Sequence, residues 1–196
     1  MIIGITGSIS TGKSAVSSYL QDIGYTVIDS DKIVHNLLTK KEVIDKIAVA
    51  FGSGLVKDRI LNKKKLGEII YNNEEKRLTL NSIIHPLVIR VIQEETNNYK
   101  NNEQRLIFVD IPLLYETELE NLVDKIIVVY VPYDVQLKRL MLRDNIDMEY
   151  ARQKIKASMD IEIKKEKADY VIDNSLILAN TYKQIDEVLR RIKNEI

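Results

Sequence analysis

Short apolar runs alternate along this chain with longer segments in which apolar residues recur at helical spacing. The longer segments predict amphipathic helices, as from Lys13 to Ile23, where the pattern stops at Gly24. The short runs are rich in β-branched residues and predict buried strands at about residues 2–6, 25–28, 106–111, 126–131 and 169–172. Apolar strands separated by helices are typical of a parallel sheet covered on both faces. The pattern therefore predicts an α/β fold with a five-stranded parallel sheet flanked by helices.

Between the second and third predicted strands, the helical pattern is too long for a simple crossover connection. It runs from about Lys32 to Lys100 and contains no convincing strand. Gly52 and Gly54 interrupt it once, and Pro86 predicts the first turn of a further helix, because proline is favoured at that position. We expect this block to form a helical insertion that covers the ends of the strands.

The composition narrows the class of protein. Of 196 residues, 45% are apolar and 30% are charged, and Lys plus Arg equals Asp plus Glu at 29 each. This balance gives no whole-chain basic excess of the kind that nucleic-acid-binding proteins usually carry. The absence of cysteine excludes disulfides and cysteine-ligated metal sites. No signal-peptide pattern or bilayer-spanning apolar run is present, so we expect a cytoplasmic protein without a nucleic-acid or membrane partner.

One motif carries specific chemistry. The segment GSISTGKS, from Gly7 to Ser14, matches G-x-x-x-x-G-K-[ST] at every fixed position and lies between a predicted strand and a predicted helix. In that setting backbone N–H groups form an anion site, Lys13 can reach the β- and γ-phosphates, and the Ser14 hydroxyl can bind magnesium. A plain strand-to-helix turn is the alternative, but it does not require the Lys–Ser pair. We predict that a nucleoside triphosphate and Mg²⁺ bind at Gly7, Ser10, Thr11, Gly12, Lys13, Ser14 and Ala15.

The rest of the chain favours a small kinase over a signalling GTPase. No glycine has an aspartate three residues before it, so the D-x-x-G motif is absent. The segment NLVD, Asn121–Asp124, lacks the lysine of the guanine-binding N-K-x-D motif. A kinase also needs mobile cations over the transferred phosphoryl group, and Arg139 and Arg143 share one face of a predicted helix. The alternative is that both arginines are solvated surface residues.

The sequence resembles the dephospho-coenzyme A kinase family over nearly the whole chain. The shared segments are GITGSISTGKS near the start, VIDSDKIVH, LNSIIHPLV, DIPLLYE, QLKRLMLRD and ADYVIDNS, in this order. The resemblance implies a P-loop kinase fold and transfer of phosphate from ATP to the ribose 3′-hydroxyl of dephospho-coenzyme A, the last step of coenzyme A synthesis. A kinase for another nucleoside or metabolite and a non-catalytic nucleotide switch stay open as alternatives.

The resemblance also implies a division of the chain. We expect a core at about residues 1–31, 104–137 and 168–196, an acceptor-binding helical insertion at about 32–103 and a small lid at about 138–167. We expect a monomer whose partner is the small-molecule acceptor.

Three aspartates at strand ends are candidates for the chemistry. Asp31 would orient the acceptor hydroxyl and accept its proton, because the resembled fold places the second strand next to the strand of the phosphate loop. With Lys13 and Arg139 it forms the predicted catalytic set. The alternative for Asp31 is the N-cap of a helix starting near Lys32. Asp29 and Asp110 are expected on the magnesium side, and the alternative for Asp29 is a turn residue.

The acceptor site is predicted from the resemblance. His85, in the His–Pro pair, is implied to line this site, and its alternative is a capping or packed histidine. The residues after Asp110 resemble a wall of the acceptor pocket made by Leu113, Leu114 and Tyr115. The alternative for these apolar residues is ordinary core packing.

The chain departs from the family pattern in the loop, in the insertion and after the lid. The differing residues, with the usual family residue in parentheses, are Ser8 (glycine), Thr11 (serine), Ala15 (threonine), Arg59 (glycine), Lys63 (arginine) and Ser158 (glutamine). We expect the backbone of the loop to tolerate its changes, and none of the departures removes a residue assigned to the core chemistry.

Overall fold

The computed structural model describes residues 1–71, 73–101 and 104–196. Its helices and strands are, in chain order, β1 (Ile2–Gly7), α1 (Lys13–Asp22), β2 (Thr26–Asp29), α2 (Ser30–Leu37), α3 (Lys41–Phe51), β3 (Val56–Lys57), β4 (Ile60–Leu61), α4 (Lys63–Tyr71), α5 (Glu74–Asn101), β5 (Ile107–Asp110), β6 (Lys125–Tyr130), α6 (Tyr133–Asp144), α7 (Met148–Lys156), α8 (Ile161–Glu166), β7 (Tyr170–Asp173) and α9 (Leu178–Lys193). The chain forms two compact units, which we call the sheet unit (Met1–Asp29 with Thr96–Ile196) and the insertion unit (Ser30–Glu95).

The sheet unit is built on five strands in the order β2–β5–β1–β6–β7, and each strand runs parallel to its neighbours. β5 buries all of its residues, and β1 and β6 bury all but the first. Interior strands of a parallel sheet are apolar throughout because helices cover both faces. The predicted α/β fold with a five-stranded parallel sheet is confirmed.

The position of β2 was predicted wrongly. We expected β2 beside β1, but β5 lies between them, and Ile107 pairs with Ile2 on one side and with Thr26 on the other. Burial supplies the physical reason, because β5 is buried throughout whereas β2 buries only Ile28. The more completely apolar strand takes the interior position. Asp29 consequently lies beside Asp110 at the end of β5.

Helix α1 packs on the sheet and against α9, and this packing holds its first turn in place. Val16 and Leu20 of α1 share one apolar cluster with Ile185 of α9 and with buried residues that β1, β5, β6 and β7 each contribute. Tyr19 of α1 also stacks on Tyr182 of α9 with ring centroids 4.1 Å apart. Each fully buried aliphatic side chain of this kind stabilises the fold by about 1.5–3 kcal/mol. The residues between β1 and α1 are therefore followed by a helix that tertiary packing holds in place.

The insertion unit contains a short hairpin as well as helices, so the prediction of no strand there was wrong. β3 and β4 pair antiparallel, with Val56 opposite Leu61, and Asp58 and Arg59 form the turn with φ values of 52° and 64°. Strands of two residues are too short for a visible alternation of apolar and polar positions. The turn also lacks the Asn–Gly or Asp–Gly pair that usually indicates a hairpin.

The prediction that Pro86 begins a helix was also wrong, because Pro86 lies inside α5. Proline removes one backbone N–H and its ring crowds the preceding turn, so it usually ends a helix. Ile84 and Val88, two residues before and two residues after the proline, are buried. Tertiary packing of this apolar face outweighs the local cost of the proline.

The proposed insertion at about 32–103 overlaps the unit Ser30–Glu95, and its predicted end at residue 103 lies outside the described residues. The proposed lid at about 138–167 contains α7, α8 and part of α6 and stays a prediction. Among the helices of the described ranges, none combines the length and the apolar character needed to cross a membrane.

Candidate active site

The predicted phosphate loop follows β1 and runs directly into α1. The Thr11 hydroxyl closes the loop by donating to the carbonyl oxygen of Ser8 at 2.9 Å. Ser10 and Gly12 have left-handed φ values of 61° and 86°, which turn successive N–H groups inward. Since α1 begins at Lys13, the first N–H groups of the helix adjoin the loop. This is the geometry of an anion site.

Asn174, which is not among the site residues predicted from the sequence, holds this loop in place. It directly follows β7, is buried, and donates from Nδ2 to the carbonyl oxygen of Thr11 at 2.8 Å. Its Oδ1 accepts from the hydroxyl of Thr181 in α9 at 2.8 Å. A Cβ atom at Gly12 would lie 2.1 Å from Asn174 Nδ2, so space as well as φ restricts this position to glycine. The segment ADYVIDNS indicated a strand end but not which side chain reaches the loop.

Lys13 and Asp110, predicted separately as cation and metal-side carboxylate, form one ion pair. Lys13 Nζ donates to Asp110 Oδ1. The other carboxylate oxygen of Asp110 accepts from the hydroxyl of Ser17 at 2.7 Å. Ser17 lies one turn after Lys13 on α1, and this spacing was the sequence signal that could have identified it. The pair holds the lysine at the carboxyl end of β5.

Two carboxylates at the strand ends and one hydroxyl in the first turn of α1 are residue types that suit a magnesium ion. Asp29 is in register with Asp110 on the neighbouring strand, and Ser14 is exposed in the first turn of α1. Mg²⁺ prefers hard oxygen ligands and usually takes only one or two carboxylates, with waters and substrate phosphates completing its shell. No group of three or more histidine or acidic residues able to hold a metal alone occurs within the described ranges. The residue types therefore fit magnesium bound together with a nucleotide.

The two arginines of α6 have different partners. Arg139 Nη2 donates to the carbonyl oxygen of Asn174 at 2.9 Å, so this guanidinium lies beside the residue that holds the loop. Arg143 Nε donates to Asp144 at 2.8 Å, and Asp144 also accepts from Lys154 of α7 at 2.6 Å. Arg143 and Lys154 lower the pKa of Asp144 to about 2. The structure places Arg139 beside Asn174, which contacts the loop, whereas Arg143 belongs to an ion-pair network that joins α6 to α7.

The segment after β5 mostly turns into the core. Leu114 is fully buried and Tyr115 is nearly so, whereas Leu113 is 49% exposed. Leu114 packs on the backbone of β1, where a Cβ atom at Gly4 would lie 2.9 Å from its Cδ1. Burial raises the pKa of Tyr115 to about 12, so its phenol is protonated at neutral pH. Of the three predicted wall residues, Leu113 is the one that presents its side chain to solvent.

Asp31 and His85, the predicted acceptor residues, belong to the insertion unit. Asp31 is exposed and is the second residue of α2, which begins at Ser30 rather than near Lys32. The alternative of Asp31 as N-cap is therefore wrong, and its carboxylate instead interacts favourably with the helix dipole from the first turn. His85 lies inside α5, and burial lowers its pKa, so the imidazole is neutral at pH 7.

Two departures from the family pattern meet beside the loop. The hydroxyl oxygens of Ser8 and Ser158 lie 3.3 Å apart. Gln136 of α6, which is fully buried, donates from Nε2 to Ser8 Oγ at 2.8 Å and to the carbonyl oxygen of Ile9 at 2.9 Å. A glycine in place of Ser8 would lack this side-chain acceptor. The serine therefore ties the loop to α6 and to the residues before α8.

The two departures from the family pattern in the insertion unit are Arg59 and Lys63. Arg59 has a φ of 64°, a left-handed conformation that favours glycine. Lys63 begins α4, and its Nζ lies 3.2 Å from Nδ1 of His35.

Comparisons with known proteins agree with this geometry. The dephospho-CoA kinase family model matches residues 1–180. A dephospho-CoA kinase of Bacillus licheniformis is 42% identical over 191 residues, which cover 96% of this chain and 95% of that protein. The structure of the dephospho-CoA kinase from Campylobacter jejuni has a TM-score of 0.76 and 32% identity, covering 100% of this chain and 98% of the other.

A shikimate kinase from Bacteroides thetaiotaomicron shares the fold alone, with 14% identity, a TM-score of 0.53 and 98% of each chain covered. The resemblance inferred from the sequence motifs is confirmed by the family match and by relatives above 30% identity. This chain belongs to the dephospho-CoA kinase family.

Proposed function

We propose that this protein transfers the γ-phosphoryl group of ATP to the ribose 3′-hydroxyl of dephospho-CoA, the last step of CoA synthesis. The match of residues 1–180 to the dephospho-CoA kinase family carries this proposal, and the complete phosphate loop supports it. A bond forms between the hydroxyl oxygen and the γ-phosphorus, and the bond from the γ-phosphorus to its bridging oxygen breaks. ADP leaves with that electron pair, and the hydroxyl proton passes to a carboxylate or to solvent.

On the donor side, we propose that the phosphates of ATP lie on the loop from Gly7 to Ala15. The left-handed residues Ser10 and Gly12 support this placement, because they turn N–H groups inward. The buried Ser10 hydroxyl has no hydrogen-bond partner within the described part of the chain and is a further donor for a bound phosphate. Lys13 would exchange Asp110 for the β- and γ-phosphates, as phosphate-loop lysines do.

We propose that Mg²⁺ is held by Ser14, Asp29 and Asp110, directly or through water. When bound, the ion neutralises phosphate charge and orients the γ-phosphoryl group. The register of Asp29 with Asp110 supports this proposal, and the hydrogen bond from Ser17 fixes the direction of the Asp110 carboxylate.

We propose that Arg139 and Arg143 neutralise charge on the transferred phosphoryl group. Arg139 is the stronger candidate because its guanidinium lies beside Asn174, which contacts the loop. The contact with the Asn174 carbonyl uses one of the five N–H donors of the guanidinium. Arg143 would have to exchange Asp144 for a phosphate oxygen, which its exposed position permits.

On the acceptor side, we propose that Asp31 orients the 3′-hydroxyl and accepts its proton. Its exposure in the first turn of α2 supports an accessible carboxylate. We propose His85 and Leu113 as acceptor contacts, with Leu114 and Tyr115 supporting Leu113 from the core. The monomeric state and the cytoplasmic location expected from the sequence are also proposals.

A three-component assay tests the proposed function. The protein is incubated with ATP, Mg²⁺ and dephospho-CoA, and we expect equal amounts of ADP and CoA. Coenzyme A is the matched control acceptor, because its 3′-phosphate blocks the reacting hydroxyl and no acceptor-dependent ADP is expected. Transfer to another small acceptor but not to dephospho-CoA would contradict the substrate, and nucleotide binding without any transfer would contradict the enzyme.

A further inference from the structure

Lys164, in α8, is a fully buried cation outside the phosphate loop. Its Nζ donates to the carbonyl oxygen of Gly7 at 2.9 Å and to that of Pro112 at 3.3 Å. The same atom lies 2.8 Å from Oε1 of Glu116. An ammonium has three N–H donors, so these three acceptors satisfy all of them.

The acceptors of Lys164 belong to two segments that are proposed to handle the two substrates. Gly7 ends β1 and begins the phosphate loop, whereas Pro112 and Glu116 lie on either side of Leu113. The Pro112 carbonyl also accepts from the Thr6 hydroxyl at 3.1 Å, which strengthens the same connection. Lys164 therefore ties the start of the loop to the segment that carries Leu113.

The residues just before α8 repeat this connection. The N–H of Met159 donates to Glu116 Oε1 at 3.0 Å, and the Ser158 hydroxyl lies 3.3 Å from that of Ser8. The stretch from Ser158 to Lys164 thus contacts both the loop and the segment after β5 at two points each. These contacts connect the phosphate loop to the segment after β5.

Packing alone explains a lysine at this position poorly. A buried ammonium loses its hydration, and apolar residues of similar volume are often as stabilising as a buried ion pair, or more so. Burial lowers the pKa of Lys164, and the ion pair with Glu116 offsets only part of this effect. The buried charge is expected to serve the site rather than the stability of the fold.

We propose that Lys164 is a positioning residue for phosphoryl transfer. Its ammonium holds the start of the phosphate loop against the segment after β5, so that Lys13 and the loop N–H groups present the γ-phosphoryl group in one orientation. Glu116 balances the charge of Lys164 and anchors Met159. This inference rests on the proposed kinase function, and it assigns a role to a residue that contacts neither substrate.

The double variant Lys164→Met with Glu116→Gln tests the proposal. Methionine matches the length of lysine without its donors, and glutamine keeps an acceptor for Met159 without an unpaired carboxylate. We expect kcat to fall by about 10- to 100-fold and the KM for ATP to rise, at a temperature where circular dichroism shows a folded protein. The matched control is Lys165→Met on the same helix, whose cation lies over the Tyr130 ring at 4.1 Å. Its kinetic constants should stay within about twofold of wild type, as for an exposed charge.

Unchanged kinetic constants with only a lower Tm in the double variant would make Lys164 structural and overturn the proposal. Absence of transfer in the wild-type protein would instead overturn the proposed function. If the double variant does not fold, ¹⁵N NMR of the lysine ammonium groups in the wild-type protein decides. ATP should shift the Lys164 signal, because its acceptor Gly7 begins the loop, and leave that of Lys165 unchanged. ATP binding without a Lys164 shift would also overturn the proposal.

Discussion

At the scale of single residues, Gly12 and Gly24 share a backbone conformation but differ in their surroundings. Their φ values are 86° and 92°, both in the left-handed region. A Cβ atom at Gly12 would collide with Asn174, whereas a Cβ atom at Gly24 would meet no described atom within 4 Å. A substitution at Gly24 therefore measures only the free-energy cost of a left-handed φ, whereas the same substitution at Gly12 also displaces Asn174 from the loop.

Gly12→Ala is expected to weaken ATP binding by about tenfold or more, equivalent to about 1.4 kcal/mol, because alanine displaces Asn174 from the Thr11 carbonyl. Gly24→Ala is the matched control and should lose only about 1–2 kcal/mol of stability from its φ. Calorimetric titration with ATP and thermal unfolding measure the two effects. The role of Asn174 in holding the loop would be contradicted by equal ATP affinities in the two variants.

Asp31→Asn keeps the size of the side chain and removes the proposed proton acceptor. We expect transfer to fall by about 10²- to 10⁴-fold while ATP affinity is unchanged. Asp45→Asn is the control in the same unit, because Asp45 pairs with Lys41 on the exposed surface of α3. Initial rates at saturating substrates measure the difference. Near-wild-type transfer by Asp31→Asn would limit Asp31 to a favourable charge in the first turn of α2.

At the scale of elements, proline occupies the interior of α5 but the N-terminal end of α6. Pro86 lies in the interior of α5, where its missing N–H leaves the carbonyl of Ser82 without its usual donor four residues on. Pro132 precedes the first residue of α6, with a φ of −56°. Proline carries no penalty at such a helix start. The local pattern around Pro86 predicted the start of a helix, but α5 begins at Glu74, because packing of its apolar face carries the helix through the proline.

Pro86→Ala is expected to raise the free energy of unfolding by about 1–3 kcal/mol, because alanine restores the backbone N–H and relieves the ring contact. The control Pro132→Ala should give no gain and a loss of up to about 1 kcal/mol, since proline suits that φ. Urea unfolding followed by circular dichroism compares them. If Pro86→Ala does not raise the free energy of unfolding, Pro86 does not destabilise α5, and this prediction is wrong.

At the scale of the whole molecule, the residues proposed to bind the phosphates of ATP all belong to the sheet unit. They come from the loop, from α1 and from α6, and the clusters beneath α1 and between α6 and α7 support them. Ile9 of the loop packs on the second of these clusters, with Leu137 and Leu140. A ligand on the loop should therefore stabilise the sheet unit through contacts that extend beyond the loop.

ATP with Mg²⁺ at about 100 times its Kd should stabilise the protein by about 2.7 kcal/mol. For a chain of this length, that corresponds to a rise in Tm of about 5–11 °C. Lys13→Met should lose most of the rise, whereas Lys41→Met, at an exposed ion pair, should keep it. Differential scanning calorimetry measures the shifts. An undiminished shift in Lys13→Met would exclude Lys13 from phosphate binding.

The sequence by itself determined the α/β class, the five strands and the phosphate loop. These features depend on local spacing, because a strand, an amphipathic helix and the motif ending in Lys13 and Ser14 each involve only neighbouring residues. Their recognition required no knowledge of which distant segments meet. The family was first indicated by the resemblance of whole segments, such as DIPLLYE and ADYVIDNS, and was confirmed by the family match.

Only the tertiary structure decided the central place of β5, the helical position of Pro86 and the supporting residues of the site. Asn174 is 163 residues from Thr11, and Lys164 is 157 residues from Gly7. A local pattern carries no signal for contacts at such separations, because burial and strand order choose which side chains reach the loop. The residues proposed to contact ATP are therefore visible in the sequence, whereas those that hold the loop in place became visible only in the fold.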